Sequence, residues 1–272
     1  MPREFETGEG ARAELLLPLR ADPARAAILT DVDGTLAPIV ERAEDAAVPA
    51  AARAVLARLS ERFALVGCIS GRRALDARRL VGLDTLAYAG NHGLELLLPG
   101  DDAVRPDPSL DGRERDASVF IAGLDPEVLG GAELRLEDKG PIQALHWRGA
   151  ADEATAEGHA HEIAVEAGHA GLEPRWGRKV LELRPVGGGG KDAAVASLLS
   201  GEGIEHATYA GDDRTDLDAF RRLRELHESG ELRSAVCVGV VSPEAPPELP
   251  EDSDLIVDGP DGWLAILEWL AE

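Results

Sequence analysis

Apolar runs of strand length alternate along this chain with stretches whose apolar residues fall on one helical face. Residues 26–32 are an apolar run that ends among polar residues, and they predict a buried strand. After Pro49 the positions Val55, Leu56, Leu59 and Phe63 mark a helix with one apolar stripe. A strand at 64–69, a helix at 72–81 and a strand at 85–89 follow, leading into the turn Asn91-His92-Gly93. The same alternation returns late in the chain, with a helix at 191–200, a strand at 206–210 and a helix at 214–228. That last helix carries Leu217, Phe220, Leu223 and Leu226 on one face and Gly230 at its end. Strands at 235–240 and 254–258 come next, then a closing helix packed through Trp263, Ile266, Leu267 and Leu270. Strands interleaved with helices predict an α/β fold: a Rossmann-like parallel sheet with helices on both faces.

Between 94 and 183 the pattern changes. Glu133-Leu134-Arg135-Leu136-Glu137 and Gln143-Ala144-Leu145-His146-Trp147 alternate polar with apolar, as in an antiparallel sheet with one solvated face. Two helical stretches, 112–123 and 152–169, are expected to back that sheet. The chain therefore divides into a core at 22–93 and 184–272, an inserted α+β cap at 94–183, and an N-terminal segment at 1–21.

The polar residues that change this picture stand where core strands end. Ligands of open α/β sheets bind beyond the carboxyl ends of the strands. Asp31 and Asp33 follow the first strand, one residue apart, and Gly34-Thr35 comes after them. Taken alone, Asp-x-Asp-Gly reads as a turn. The layout repeats at 207–213, Ala-Thr-Tyr-Ala-Gly-Asp-Asp, with Asp216 three residues on. Asp212 and Asp213 also suit the N-cap of the helix that follows. Between the two acid sites come Ser70-Gly71-Arg72 at another strand end and a lone Lys191 opening a helix. The glycines at 187–190 are not a Walker loop, because Pro185 stands where its first glycine belongs and Asp192 follows the lysine.

Two acid clusters, a hydroxyl and a lysine, in this order and each at a strand-to-helix switch, resemble the four motifs of haloacid-dehalogenase-like phosphotransferases. Gly90-Asn91-His92-Gly93-Leu94-Glu95, Glu137-Asp138-Lys139-Gly140, Leu145-His146-Trp147-Arg148 and Leu181-Glu182-Leu183-Arg184-Pro185 are similar to segments of trehalose-6-phosphate phosphatases. The similarity runs from about residue 25 to the C-terminus. It implies a phosphatase that turns trehalose 6-phosphate into trehalose and phosphate. In that reading Asp31 is the nucleophile that becomes an aspartyl-phosphate, and Asp33 is the general acid and base. Ser70 and Lys191 hold the phosphate. Asp31, the main-chain carbonyl of Asp33, and Asp212 hold one Mg²⁺, with Asp213 and Asp216 behind them or alternating as ligands. The resemblance assigns the sugar to Arg72, Asn91, His92 and Gly93 in the core and to Lys139, His146, Arg178, Glu182 and Arg184 in the cap. Asp192 departs from the family, which commonly has glycine after this lysine, and Gly177-Arg178-Lys179 stands where the family shows Gly-Lys. A trehalose-phosphate synthase is the partner the pathway implies.

Composition narrows the function further. The 272 residues carry 28 basic and 51 acidic side chains, a formal charge of -23, with 44% hydrophobic residues. Such a chain can bury a core, and its charge disfavours nucleic acid and anionic membranes as partners. It also repels a phosphorylated substrate at long range, so the site itself must be locally positive. Cys68 and Cys237, the two cysteines, each lie in an apolar run and read as buried thiols. No window approaches the ~18 apolar residues of a membrane helix, and the start lacks the layout of a signal peptide, which points to the cytoplasm. Two other readings stand beside the leading one. The phosphatase acts on a different sugar phosphate, such as sucrose phosphate or a glycosylglycerate phosphate, or is a hexose-phosphate mutase. Otherwise the chain is an inactive sugar-phosphate-binding regulatory domain.

Overall fold

The computed structural model describes residues 9–40, 45–131, 133–177, 179–187, 189–201, 203–243 and 245–272. Its central strand is β1 (Ala26–Thr30), buried along all five residues. Helices cover both faces of such a strand, so its apolar run does not alternate. Parallel to it on one side lie β2 (Leu65–Ile69) and β3 (Ala87–Gly90). On the other side lie β10 (His206–Gly211), β11 (Ser234–Val241) and β12 (Leu255–Asp258). The strand order is β12-β11-β10-β1-β2-β3, extended by β4 (Glu95–Leu97), antiparallel to β3, and the two-residue β5 (Arg105–Pro106). The chain moves outward from β1 in one direction early and returns to its other side at β10. That reversal is a topological switch point, and it opens a crevice at the carboxyl ends of β1 and β10.

Alternate residues of β1 enter two different apolar layers. Ile28 joins the layer built by α2 (Ala50–Ser60), α3 (Ala74–Val81) and α9 (Gly259–Ala271). Leu29 joins the layer built by α7 (Lys191–Leu199) and α8 (Asp216–Glu228). The expected stripes are largely the buried ones: Val55, Leu56 and Leu59 on α2, Phe220, Leu223 and Leu226 on α8, and Trp263, Ile266, Leu267 and Leu270 on α9, while Leu217 is only partly buried and the buried Phe63 lies beyond the end of α2. Several short elements of the structure, among them β4 and β5, and one longer helix were not legible. Residues 9–21, read as a segment without features, form α1 (Glu9–Ala21), which sends Leu16 and Leu19 into the first layer. The run Leu15-Leu16-Leu17-Pro18 hides its periodicity, because three leucines in a row mark no face and proline is a helix breaker by rule.

The chain splits into two compact units, one reaching to Arg105 and resuming at Gly190, the other running from Pro106 to Gly189. The pattern change at 94 falls earlier than this division. β4 runs antiparallel to β3 and belongs to the core sheet. Alternation reports strand direction and one solvated face; it does not say which sheet a strand joins. At the other end the division comes at Gly189, after 183.

The second unit has a sheet in the order β6-β7-β9-β8, formed by β6 (Arg135–Asp138), β7 (Gln143–His146), β8 (Leu172–Gly177) and β9 (Val180–Pro185). Its own core joins Leu145, Trp147, Leu181 and Leu183 of the sheet side to Ala117 and Ile121 of α4 (Asp116–Gly123) and Ala160 and Ile163 of α6 (Glu153–His169). The short α5 (Pro126–Gly131) precedes β6. The helix expected from 112 begins at Asp116, because Asp111 and Gly112 take left-handed φ of 48° and 83°. Asp152 caps α6 by accepting the Ala154 and Thr155 amides.

Candidate active site

The first acid cluster is built by the exit of β1. The Asp31 amide donates to the Ala210 carbonyl at 2.8 Å, which ties the strand end to β10. Behind it, Trp263 Nε1 donates to Thr30 Oγ1 at 3.1 Å and Thr30 Oγ1 donates to the Asp31 carbonyl at 2.8 Å, so a buried indole braces the exit of β1. The chain then folds back on itself: the Leu36 and Ala37 amides both donate to the Val32 carbonyl, at 3.0 and 2.8 Å. Gly34 sits in this turn at φ +90°, and a Cβ there would lie 2.0 Å from Asp212 Oδ2. Glycine is therefore required twice over, by backbone angle and by the approach of the second acid cluster. Thr35 Oγ1 donates to Asp212 Oδ1 at 3.0 Å and joins the two clusters directly.

Three carboxylates converge. Asp31, Asp212 and Asp216 are all buried, and each offers an oxygen within 4.8 Å of the others. Lys191, itself buried, donates to Asp31 Oδ1 at 2.7 Å and to Asp216 Oδ1 at 2.6 Å. Asp213 Oδ1 lies 3.9 Å from the same ammonium. Asp216 also accepts from Tyr209 Oη at 2.5 Å and, through Oδ2, from the amides of Asp212 and Asp213 at 3.0 and 2.9 Å. Those four donors fill the capacity of one carboxylate. Asp216 thus holds Lys191 and the 212–213 turn in place. Asp213 accepts the amides of Thr215 and Asp216 at 2.7 and 3.2 Å, capping α8.

The electrostatics follow from burial. Desolvation pushes Asp31 up, and Asp216 and Asp212 add to that push against the pull of Lys191. Burial and the neighbouring Asp216 charge push Asp212 up to about 7. Burial works against the Lys191 charge, but Asp216 and Asp31 outweigh it and hold the ammonium as a cation. Three acids crowded round one ammonium in a low-dielectric pocket resist full ionisation, and a bound cation would relieve that. The donors are all hard oxygens, a set that fits Mg²⁺.

The remaining core residues divide by what they touch. Ser70 is buried, its Oγ accepting the Arg72 amide at 3.1 Å. Arg72 Nε and Nη2 donate to Asp33 Oδ2 and Oδ1, both at 2.7 Å. Asn91 is fully buried and hydrogen-bonds the Glu95 carboxylate, while Gly93 packs on the Gly190 carbonyl. The His92 ring lies against Gly71, where a Cβ would come within 2.8 Å of it. Asp192 lies in the first turn of α7, and among the described residues the ion pairs of Lys191 are with Asp31, Asp213 and Asp216.

The second unit gathers its own polar cluster. In register, Glu137 and Glu182 both face Ala144, and His146 sits two residues along on the same side. Lys139 Nζ donates to Glu182 Oε1 at 3.0 Å, Arg184 Nη2 donates to Glu182 Oε2 at 2.5 Å, and His146 Nε2 meets Glu137 Oε2 at 2.7 Å. Burial opposes ionisation of Glu182, yet Arg184 and Lys139 hold it down at about 2. Asp138 closes the β6–β7 turn by accepting from Gly140 N and Gln143 Nε2. Arg178 lies outside the described residues; its neighbour Lys179 pairs with Glu153 at 2.5 Å.

Comparison with known proteins agrees with this arrangement. The family model described as trehalose-phosphatase matches residues 29–246, from inside β1 past the Asp212 cluster. The chain belongs to the trehalose-phosphatase family. It is 35% identical over 212 residues to a trehalose-phosphate phosphatase of Mycolicibacterium paratuberculosis, an alignment covering 73% of this chain and 51% of that protein. It is 32% identical to the probable trehalose-phosphate phosphatase 2 of Oryza sativa subsp. japonica, covering 74% of this chain and 58% of the other. The chain therefore spans little more than half the length of these relatives. The solved C-terminal domain of the trehalose-6-phosphate phosphatase of C. albicans superposes with a TM-score of 0.72 at 20% identity, covering 95% of this chain and 96% of that one. The fold is the haloacid-dehalogenase-like α/β fold with an inserted unit, as the motifs implied.

Sequence reading passed over Tyr209, Thr35, Glu137 and Trp263. Tyr209 and Glu137 were inside quoted motifs, and their strand position carried a signal: each stands at the alternate position that faces the cluster. Nothing local marks Trp263 or Thr35, whose partners lie 233 and 177 residues away.

Proposed function

We propose that this chain hydrolyses trehalose 6-phosphate to trehalose and inorganic phosphate, with Mg²⁺ as cofactor and an aspartyl-phosphate intermediate. The observation that carries the reading is the buried Asp31 at the β1 exit, held at 2.7 Å by Lys191 and facing Asp212 across the switch point. Lys191, donating to Asp31 at 2.7 Å, favours the anionic form, the one that acts as nucleophile. An Asp31 oxygen forms a bond to phosphorus while the bond from phosphorus to the sugar oxygen breaks, its electron pair leaving with the sugar. Asp33 gives its proton to that oxygen. Asp33 then takes a proton from water, which attacks phosphorus, and Asp31 departs with the electron pair of its own bond, releasing phosphate. Ser70 and Lys191 bind the phosphoryl oxygens. Asp31, the Asp33 carbonyl and Asp212 would hold the Mg²⁺, which supplies charge stabilisation to the transferring group; Asp216, with its acceptors filled, orients the others.

The relatives' names and the polar face of the second unit support trehalose 6-phosphate as substrate. Lys139, His146, Glu182 and Arg184 present both donors and acceptors, the pattern that grips a ring of hydroxyls. The location we infer is the cytoplasm. No described helix is long and apolar enough to cross a membrane, and Cys68 and Cys237 are free and buried, as in a reducing compartment. A trehalose-phosphate synthase is the proposed source of substrate.

The deciding measurement is phosphate release with Mg²⁺ across trehalose 6-phosphate, sucrose phosphate, a glycosylglycerate phosphate and hexose phosphates. Highest kcat/KM on trehalose 6-phosphate supports the proposal. A higher value on another sugar overturns the substrate, and no release from any of them overturns the activity in favour of a binding domain.

A further inference from the structure

The Asp33 carboxylate is the catalytic group least constrained by its own surroundings. Its side chain is 41% exposed and stands on the turn after β1, not on the strand. A proton donor in that position needs something to hold its two oxygens at fixed points. Arg72 does so, with Nε on one oxygen and Nη2 on the other, both at 2.7 Å. Two parallel N–H bonds from one rigid plane fix distance and orientation together, which a single bond does not.

Arg72 is itself anchored. Its amide donates to Ser70 Oγ at 3.1 Å and its carbonyl accepts the Asn91 amide at 2.7 Å. Its side chain is 23% exposed, so the fork rests on a backbone pinned at both ends. The loop that carries the phosphate-binding hydroxyl and the loop that carries the proton donor are joined through one guanidinium.

We propose that Arg72 is a positioning residue for Asp33 and not a sugar ligand. The inference rests on the reading of Asp33 as general acid and base. Two of the five N–H donors of Arg72, the Nε–Nη2 edge, hold the carboxylate. Guanidinium has donors only and keeps its protons, so it neither relays a proton nor competes for one. Each Asp33 oxygen retains lone-pair capacity beyond the bond to Arg72, which leaves room for the proton that moves. Without the fork the carboxylate samples several rotamers, and a misplacement of about 1 Å costs on the order of 10²-fold in rate.

The test is a double-mutant cycle on kcat/KM, using Arg72→Met, Asp33→Asn, both together, and Arg72→Lys as the conservative variant. The substrates are trehalose 6-phosphate, or the sugar phosphate best turned over in the panel, and 2,4-dinitrophenyl phosphate. The sugar departs as an alkoxide that needs a proton, whereas dinitrophenolate leaves without one. Because kcat/KM reports events up to the first irreversible step, it reads leaving-group departure. We expect Arg72→Met to lower kcat/KM by ~10²-fold on the sugar phosphate and by far less on the aryl phosphate. The double variant should be no worse than Asp33→Asn alone, since Arg72 acts through the group already lost. Arg72→Lys, with a single point donor in place of the fork, should fall between wild type and Arg72→Met, and it serves as the test if the methionine variant does not fold. Losses that multiply in the double variant, equal losses on both substrates, or no loss at all would overturn the positioning role. If Asp33→Asn loses equally on both substrates, the acid role fails and the inference falls with it. If the wild-type chain releases phosphate from neither substrate, the proposed function fails first.

Discussion

At the scale of single residues, the two acids of the first cluster sit one residue apart and yet have opposite surroundings. Asp31 is buried against Lys191, while Asp33 is half-exposed against Arg72. That contrast suits the roles proposed for them: a sheltered nucleophile and a proton donor that must reach a departing group. Asp31→Asn is expected to abolish turnover with the fold intact, because the amide is nearly the same shape but a poor nucleophile. Phosphate release alongside far-ultraviolet circular dichroism checks this, and full activity would refute the covalent route. Asp33→Asn is expected to lower kcat by ~10²–10⁴-fold, the usual worth of general acid–base help. Its Mg²⁺ affinity by calorimetry should be unchanged, since the proposed metal contact of this residue is main-chain. A loss that tracks weaker Mg²⁺ binding would instead make the Asp33 side chain a ligand.

Among the elements, β6, β7 and β9 of the second unit share one polar face, and its central charge is Glu182. Folded, Glu182 is held at about 2, below its ordinary 4.5, because Arg184 and Lys139 outweigh burial. A folded value lowered in this way contributes stability above about 4.5, and that contribution is lost as pH falls toward about 2. Chemical denaturation of wild type and Glu182→Gln across this window is the check. Wild type should lose more stability than the variant between those limits. Parallel losses would mean that the two cations do not stabilise the carboxylate in the folded state.

For the whole molecule, phosphoryl transfer is proposed for the core and sugar recognition for the second unit, and specificity is expected to divide the same way. Glu182→Ala should lower kcat/KM strongly for trehalose 6-phosphate and barely affect a small aryl phosphate, which has no disaccharide to bind. The ratio of the two losses measures binding energy that the sugar alone supplies. Equal losses on both would assign Glu182 to the catalytic machinery or the fold, and no loss on either would leave the sugar site elsewhere.

The succession of strands and helices was legible because burial on a sheet or helix face leaves a period in the sequence. The stripes of α2, α8 and α9 carry that period, whereas β1, β2, β10 and β11, covered on both faces, leave short continuous apolar runs. The catalytic candidates were legible for a related reason, since each stands where an apolar run stops. Other features were decided only by tertiary structure. The sequence did not reveal α1, whose leucine run has no face until β1, β11 and α9 give it one, nor the division at Pro106, because alternation does not name the sheet that a strand joins. Nor did it reveal which acids share a centre: Lys191 meets Asp31 across 160 residues and Asp216 across 25. Asn91 and Arg72 show the same limit. Their residue types suit sugar binding; in the fold Asn91 is buried beside Glu95 and Arg72 donates to Asp33. Residue type and local period are properties of the chain itself, whereas a side chain's partner depends on which distant segments packing brings to within hydrogen-bond reach.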